Sequence, residues 1–236
     1  MEKLYIIIPA YNEQDTIGTV IEEWYPIIEK HNGDGASRLV IINDGSTDHT
    51  ADIVEKYAKE RTMLLSITKE NGGHGAAVLY GYHFALQQNA DYVFQTDSDG
   101  QTRPEEFEPF WENRTQYDMV IGWRGSREDG FSRWLVSKVL KGVIRVCFGV
   151  SVKDANTPYR IMNAETLSKY IELIPDGFHL SNVLLSVIYA KKANVKYIPI
   201  TFRPRQGGTN SINMKKIFRI GLRAVKDFRK INKIIK

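Results

Sequence analysis

Residues 91–101 read Asp-Tyr-Val-Phe-Gln-Thr-Asp-Ser-Asp-Gly-Gln. A short β-prone run ends abruptly in acids, hydroxyls and a glycine. Aromatic and β-branched residues favour a pleated backbone, and the acids that follow mark its end. The segment 91–95 is therefore predicted as a strand. The same signature recurs at 4–8 (Leu-Tyr-Ile-Ile-Ile), 38–42, 63–67 and 118–121. These runs are apolar on both faces, as strands of a covered parallel sheet are. Helical spacing lies between them over 15–31, 48–60 and 74–89, with Thr47 and Asp48 placed to cap the second helix. The rhythm implies an α/β fold with a mostly parallel open sheet, flanked by helices through right-handed crossovers.

After residue 122 the rhythm changes. Helices are predicted over 132–148, 163–173 and 179–192, then a strand over 195–201 and a Gly-containing loop at 203–211. No repeat or low-complexity linker divides the chain. Residues 1–212 read as one domain with two functional halves, 1–110 and 111–212.

The charge is unevenly spread. The 236 residues carry a formal net charge of +4, yet residues 213–236 hold nine Lys/Arg and one acid. Residues 1–212 hold 23 basic and 27 acidic side chains. A nucleic-acid binder would carry its positive charge on the body, so nucleic acid is not an expected partner. Cys147 is the sole cysteine, which rules out an intramolecular disulfide and fits a reducing compartment. The apolar run at 4–8 is too short for a secretory signal core. The longest apolar candidate, at 183–190, falls far below the ~20 residues of a membrane span. The expected location is cytoplasmic, peripheral at a membrane face.

In open α/β sheets, ligands bind beyond the carboxyl ends of the strands. Four successive strand ends are rich in acids, amides and glycines: Pro9-Ala10-Tyr11-Asn12-Glu13, Asn43-Asp44-Gly45-Ser46-Thr47-Asp48, Lys69-Glu70-Asn71-Gly72-Gly73-His74-Gly75-Ala76-Ala77, and Thr96-Asp97-Ser98-Asp99-Gly100-Gln101. Asp97 and Asp99 can share a hard divalent cation, Mg²⁺ or Mn²⁺, with Gln101 offering a further oxygen and a bound diphosphate completing the shell. The same residues can instead form a turn closed by Asx hydrogen bonds. Asn71 to Gly75 opens a helix, where glycines admit a close ligand and the N-terminus favours anions. A simple turn would also use flexible residues there. Asp44 is placed to accept hydrogen bonds from a nucleoside, or merely to turn the chain.

Taken together, these motifs resemble the inverting glycosyltransferases of family 2, with the GT-A fold. The resemblance implies that Pro9, Tyr11, Glu13, Asp44, Asn71, Gly75 and Asp97 bind a nucleotide-sugar donor, a UDP- or GDP-sugar. It implies that Asp97, Asp99 and Gln101 handle the metal. The second half, with Gly122-Trp123-Arg124, Arg133 to Ser137, Asp154 to Arg160 and Arg205 to Ser211, is similar to the branch that glycosylates dolichyl or other polyprenyl phosphates. In that branch, residues matching Arg124, Arg133 and Ser137 contact the acceptor phosphate. Arg205 adds positive charge on the same side.

The spacing agrees. Arg133 and Ser137 share one helix face, and arginine forks match phosphate oxygens. Arg133 as a solvated surface charge, and Asp154 with Arg160 as a structural ion pair, are the plainer readings. This chain has Thr157-Pro158-Tyr159-Arg160 where the branch has Ser-Gly-Phe-Arg, and His74 where lysine is common.

The resulting expectation is a metal-dependent transferase with Asp99, Asp154 and Arg124 as catalytic residues and polyprenyl phosphate as acceptor. A glycan hydroxyl is the alternative acceptor, and it would need Asp154 as general base. A nucleotidyltransferase would carry a Gly-rich, Arg-bearing loop after its first strand, which Pro9 to Glu13 is not. A non-enzymatic membrane module would leave Asp44, Asn71, Asp97 and Asp99 without a role. In the tail, Met214, Ile217, Gly221, Ala224, Phe228, Ile231 and Ile235 form a helical stripe with basic residues largely off it. That pattern suits a helix in an anionic membrane interface, or one packed on the body with a solvated basic face.

Overall fold

The computed structural model describes residues 2–33, 35–124 and 131–203, with backbone alone at 131–136, together with Val225, Phe228, Ile231 and Asn232. The side chain of Arg133, all of Arg205 and most of the basic tail lie outside the described residues.

Seven strands form one sheet: β1 (Leu4–Ala10), β2 (Arg38–Asn43), β3 (Leu64–Thr68), β4 (Tyr92–Gln95), β5 (Met119–Arg124), β6 (Arg160–Asn163) and β7 (Val195–Ile200). Their order is β3-β2-β1-β4-β6-β5-β7. Strands β3, β2, β1 and β4 run parallel, β6 runs antiparallel to both β4 and β5, and β7 runs parallel to β5. The mostly parallel open sheet is thus as the sequence implies, except for β6. Its four residues, Arg-Ile-Met-Asn, begin with a charge and follow Pro158 closely, so no apolar run betrays them. The six other strands present their carboxyl ends on one edge, and antiparallel β6 presents its first residue, Arg160, there.

The helices are α1 (Ile17–Lys30), α2 (Thr50–Glu60), α3 (His74–Gln87), α4 (Glu108–Glu112), α5 (Phe131–Phe148), α6 (Ala164–Ile171) and α7 (Ser181–Lys192), with a 3₁₀ turn at Pro104–Glu106. The short Pro104–Glu112 region carries no long periodic pattern and is not foreshadowed. The N-cap of α2 is His49, without a side-chain cap hydrogen bond, rather than Thr47 or Asp48; Asp48, just before it, accepts from Thr50 N through Oδ1 at 3.0 Å.

Alternation along the strands builds two cores. Tyr5, Ile7, Val40 and Ile42 face the layer of α3, α6 and α7. Leu4, Ile6, Ile8, Leu39 and Ile41 face α1, where Trp24 is 1% exposed. Burial on both faces explains why the strands are apolar throughout.

The described tail residues join the first core. Phe228 is fully buried, with ring centroids 5.2 Å from Phe148 and 6.2 Å from Phe178. Ile231 is buried beside it, and Asn232 Oδ1 accepts from Lys191 Nζ at 3.2 Å. At these positions the apolar stripe packs on the body, the second of the two arrangements that the stripe allowed. No helix among the described residues is long and apolar enough to cross a membrane.

Candidate active site

The strand order reverses between β1 and β4, since β2 and β3 lie to one side and β4 to the other. A crevice opens there at the carboxyl edge, as geometry requires of diverging crossovers. It measures about 380 Å³ and is lined by Pro9, Ala10, Tyr11, Glu13, Asp44, Asn71, Gly73, His74, Ala77, Asp97, Ser98 and Asp99. All four strand-end motifs therefore meet in one cleft.

Asp44 forms one end. It is 2% exposed, and its backbone N–H donates to Ala10 O at 2.9 Å. Its Oδ1 accepts from Lys69 Nζ at 2.6 Å and Gly72 N at 3.0 Å, and its Oδ2 from Gly73 N at 2.8 Å. Burial alone would raise the carboxyl, but these donors outweigh it and hold it below the ordinary aspartate range. Gly73 makes this possible with φ of +83°, a region that side chains disfavour.

The β1 loop is tied to the β2 loop, because Asn12 Oδ1 accepts from Thr47 N at 2.8 Å and Asn12 N donates to Ser46 Oγ at 3.0 Å. Tyr11 is left 48% exposed at the rim. Thr16 Oγ1 donates to Ser98 O at 2.9 Å and joins the β1 loop to the β4 loop.

At the β4 end, Asp97 Oδ1 is shut off from solvent and has no hydrogen-bond partner. His74 Nε2 lies 4.0 Å from it, at ion-pair range only if the ring is protonated. A buried carboxylate oxygen without a donor is costly unless a cation supplies the missing charge. Asp99 lines the same cleft two residues on, and both offer hard oxygens suited to Mg²⁺ or Mn²⁺. The donor set fits a divalent cation in this respect. Among the described residues no group of three or more His, Cys, Asp or Glu could hold a metal by itself, so other ligands must come from substrate or water. The Asx turn also forms, with Asp99 Oδ1 accepting from Gln101 N at 3.1 Å.

Two of the residues expected to hold the donor or the metal sit elsewhere. Gln101 does not line the cleft: its Nε2 donates to Arg203 O at 3.1 Å, and Arg203 N donates to Gln101 O at 2.8 Å. It fastens the acidic loop to the segment after β7. Gly75 is also absent from the lining. A Cβ there would lie 2.4 Å from Phe178 O and 2.9 Å from the His179 carbonyl carbon, so glycine is required for packing against the turn before α7.

In the second half, Arg124 at the end of β5 pairs with Asp154, with Nε to Oδ2 at 2.8 Å and Nη2 to Oδ1 at 3.1 Å, and neither residue lines the cleft. The partner of Asp154 in this contact is thus Arg124, where the sequence had suggested Arg160. The Arg124 guanidinium also lies over the Phe202 ring, 4.9 Å from its centroid. Ser137 is half-buried on α5.

The sequence reading quoted Lys69, Gly73, His74, Ala77 and Ser98 within the strand-end motifs but named none of them as a site residue. Lys69 follows β3 as directly as Asp44 follows β2, and that strand-end position was its only signal.

Comparison with known proteins agrees with the architecture. The family model for glycosyl transferase family 2 matches residues 5–171. An undecaprenyl-phosphate mannosyltransferase of Micrococcus luteus is 25% identical over 223 residues, covering 89% of this chain and 88% of its own. An undecaprenyl-phosphate 4-deoxy-4-formamido-L-arabinose transferase of Pectobacterium atrosepticum is 25% identical over 204 residues, covering 81% of this chain. The chain spans only 61% of that relative's length.

Among solved structures, glucosyl-3-phosphoglycerate synthase from Mycobacterium tuberculosis, in complex with Mn²⁺, UDP-glucose and phosphoglyceric acid, superposes with a TM-score of 0.70 at 16% identity, covering 98% of this chain and 80% of its own. S. aureus TarS in complex with UDP-GlcNAc gives 0.61 at 18% identity, covering 99% and 70%. At such identities the likeness concerns the fold, which is GT-A. With its switch-point cleft, its strand-end motifs and a family match across residues 5–171, the chain belongs to glycosyl transferase family 2.

Proposed function

We propose that this chain is an inverting, metal-dependent glycosyltransferase that moves a sugar from a UDP- or GDP-sugar to a polyprenyl phosphate. The observation that carries the reading is the unpartnered Oδ1 of Asp97, a residue that lines one switch-point cleft together with Asp99 and Asp44. The relatives named for undecaprenyl-phosphate transfer support the acceptor class, and the neighbours bound to UDP-sugars support the donor class.

Asp44 accepts an N–H of the nucleobase, with Pro9, Tyr11, Glu13 and Asn71 around the nucleoside. Asp97 and Asp99 hold the divalent cation. When bound, that cation offsets the charge that builds on the departing nucleoside diphosphate. Arg124, with Arg133, Ser137 and Arg205, positions the acceptor phosphate. A phosphate oxygen attacks the anomeric carbon from the face opposite the diphosphate. A new C–O bond forms, the bond to the diphosphate oxygen breaks, and the electron pair leaves with the diphosphate.

A lipid phosphate is ionised at neutral pH and needs placement more than deprotonation. The two-point contact of Asp154 with Arg124 favours this acceptor over a glycan hydroxyl, because a carboxylate that a guanidinium already engages is a poorer base. A place at the cytoplasmic membrane face, with the basic segment 213–236 toward anionic lipid, follows from such an acceptor.

The test offers UDP- and GDP-sugars with undecaprenyl phosphate, with and without Mn²⁺. Release of nucleoside diphosphate should require both acceptor and cation, and Asp99→Asn should abolish it with every donor. Full activity in chelator would overturn the cation role. Transfer to glycan acceptors alone would overturn the lipid-phosphate reading.

A further inference from the structure

Arg160 is the first residue of β6 and is fully buried. Burying a guanidinium costs several kcal/mol in typical proteins unless its donors are satisfied. Here all five N–H groups find acceptors, and all the acceptors are uncharged. Nε donates to Thr157 O at 3.1 Å, and Nη1 donates to Asn182 O and Ser186 Oγ, both at 3.1 Å. Nη2 donates to Ala155 O at 3.4 Å and to Thr157 O.

Ser186 Oγ adds a second tie, reaching Ala155 O at 2.9 Å. Next to the guanidinium, Tyr82 OH lies 2.6 Å from Gln95 Oε1 and 3.3 Å from Asn182 Oδ1. Arg160 pairs in register with Gln95 of β4 on one side and Ile121 of β5 on the other. It therefore sits at the seam between the strands that end in the metal loop and in Arg124. Burial pushes its guanidinium down, while Tyr82, Asp154 and Asp97 act in the opposite direction.

A neutral side chain could fill this space at lower cost. It could not gather two carbonyls of the 154–157 loop and two oxygens of α7 onto one rigid plane. The five-donor fork of arginine can, and lysine offers only three donors from one point. The loop so gathered contains Asp154, the partner of Arg124.

We propose that Arg160 is a positioning residue for the acceptor side: by clamping the 154–157 loop to α7, it presents Asp154 to Arg124 and so sets where Arg124 meets the acceptor. The acceptor role rests on the transferase reading above, but the clamp itself does not.

The test compares Arg160→Lys, Arg160→Met and Ser186→Ala with the full chain by hydrogen exchange and steady-state kinetics. Amides at 153–159 should exchange at least tenfold faster in Arg160→Met and by a smaller factor in Arg160→Lys. Peptides from β1, β2 and β4 should keep their rates. The KM for undecaprenyl phosphate should rise about tenfold or more, while the Kd for the donor nucleotide stays within about threefold. Ser186→Ala removes one acceptor and the tie to Ala155, so it should show the same pattern more weakly, and it carries the comparison if Arg160→Met does not fold. Unchanged exchange at 153–159, or faster exchange spread evenly over the sheet, would overturn the clamp. Faster local exchange with an unaltered acceptor KM would overturn its link to the acceptor. A wild-type chain that shows the clamp but transfers nothing to polyprenyl phosphate would refute the transferase reading alone.

Discussion

Arg124 and Asp154 meet through two hydrogen bonds, at 2.8 and 3.1 Å, with side chains 16% and 8% exposed. Thirty residues apart in sequence, they join the end of β5 to the loop before β6. Removing one partner strands the other charge in a poorly hydrated place. Arg124→Met should therefore destabilise the fold by about 3 kcal/mol. The double variant Arg124→Met/Asp154→Leu should recover more than half of that loss. Urea unfolding of the two single variants and the double variant measures the coupling. A double variant whose losses simply add would show that the pair contributes nothing as a pair.

Asp44 gives a pH signature. Its folded carboxyl lies below the ordinary aspartate value, so in acid the unfolded chain binds its proton first. Its contribution to stability is complete above the unfolded value of about 4 and is lost as pH falls through the lower folded value. Asp48 behaves alike, its carboxyl held down by Thr50 and Gln14 against the effect of burial. Asp44→Asn should flatten the acid limb of a stability–pH curve below about pH 5. It should also weaken donor binding at neutral pH. An acid limb as steep as that of the wild type would contradict the hydrogen-bonded cradle around Asp44.

Two glycines should respond oppositely to alanine. Gly75→Ala drives a methyl into backbone at the turn before α7, and overpacking of this kind costs about 2 kcal/mol. Gly142 lies on the exposed side of α5 with nothing within 4 Å of a Cβ. Gly142→Ala should stabilise by roughly 0.5–1 kcal/mol, since alanine favours the helix. Thermal unfolding of the two variants reads both signs.

Phe228 tests what the tail does for the body. A fully buried phenylalanine against Phe148 and Phe178 should cost about 3 kcal/mol or more on truncation to alanine. Global unfolding in urea, without lipid present, is the measurement. An unaltered midpoint would mean that the packing of Phe228 contributes nothing to the stability of the body.

The parts legible in the sequence were those written locally. β1, β2, β4 and β5 announce themselves because both faces are largely buried, β3 by its aliphatic run although it lies at the sheet edge, and the four polar strand ends predict one cleft without any knowledge of contacts. Distance in sequence hides the rest. Gln101 looks like a metal oxygen until Arg203, 102 positions later, takes its amide. Gly75 resembles a ligand-binding glycine until Phe178 arrives beside it. Asp154 has two arginines within reach of a sequence argument, Arg124 and Arg160, and only the sheet decides between them. Residues 160–163 carry no strand signal because Arg160 reads as a surface charge, although it is the most enclosed cation described. The tail's stripe was visible, but a stripe cannot say whether lipid or protein covers it.

The antiparallel strand β6 also constrains the order in which the molecule can assemble. β1, β2 and β3 pair in chain order and β4 returns beside β1, so a growing chain can pair them as they emerge. β5 has no direct pairing with β4. It reaches the sheet only through β6, whose residues 160–163 come after 119–124 in the chain. The first half can therefore form its switch-point crevice while the second half still lacks a scaffold. Contacts between Gln95 and Arg160 span 65 positions, and such non-local closure is slow. Joining of the halves is thus expected to be the late step of folding, and a variant weakened at β6 should accumulate chains with one half ordered and the other open.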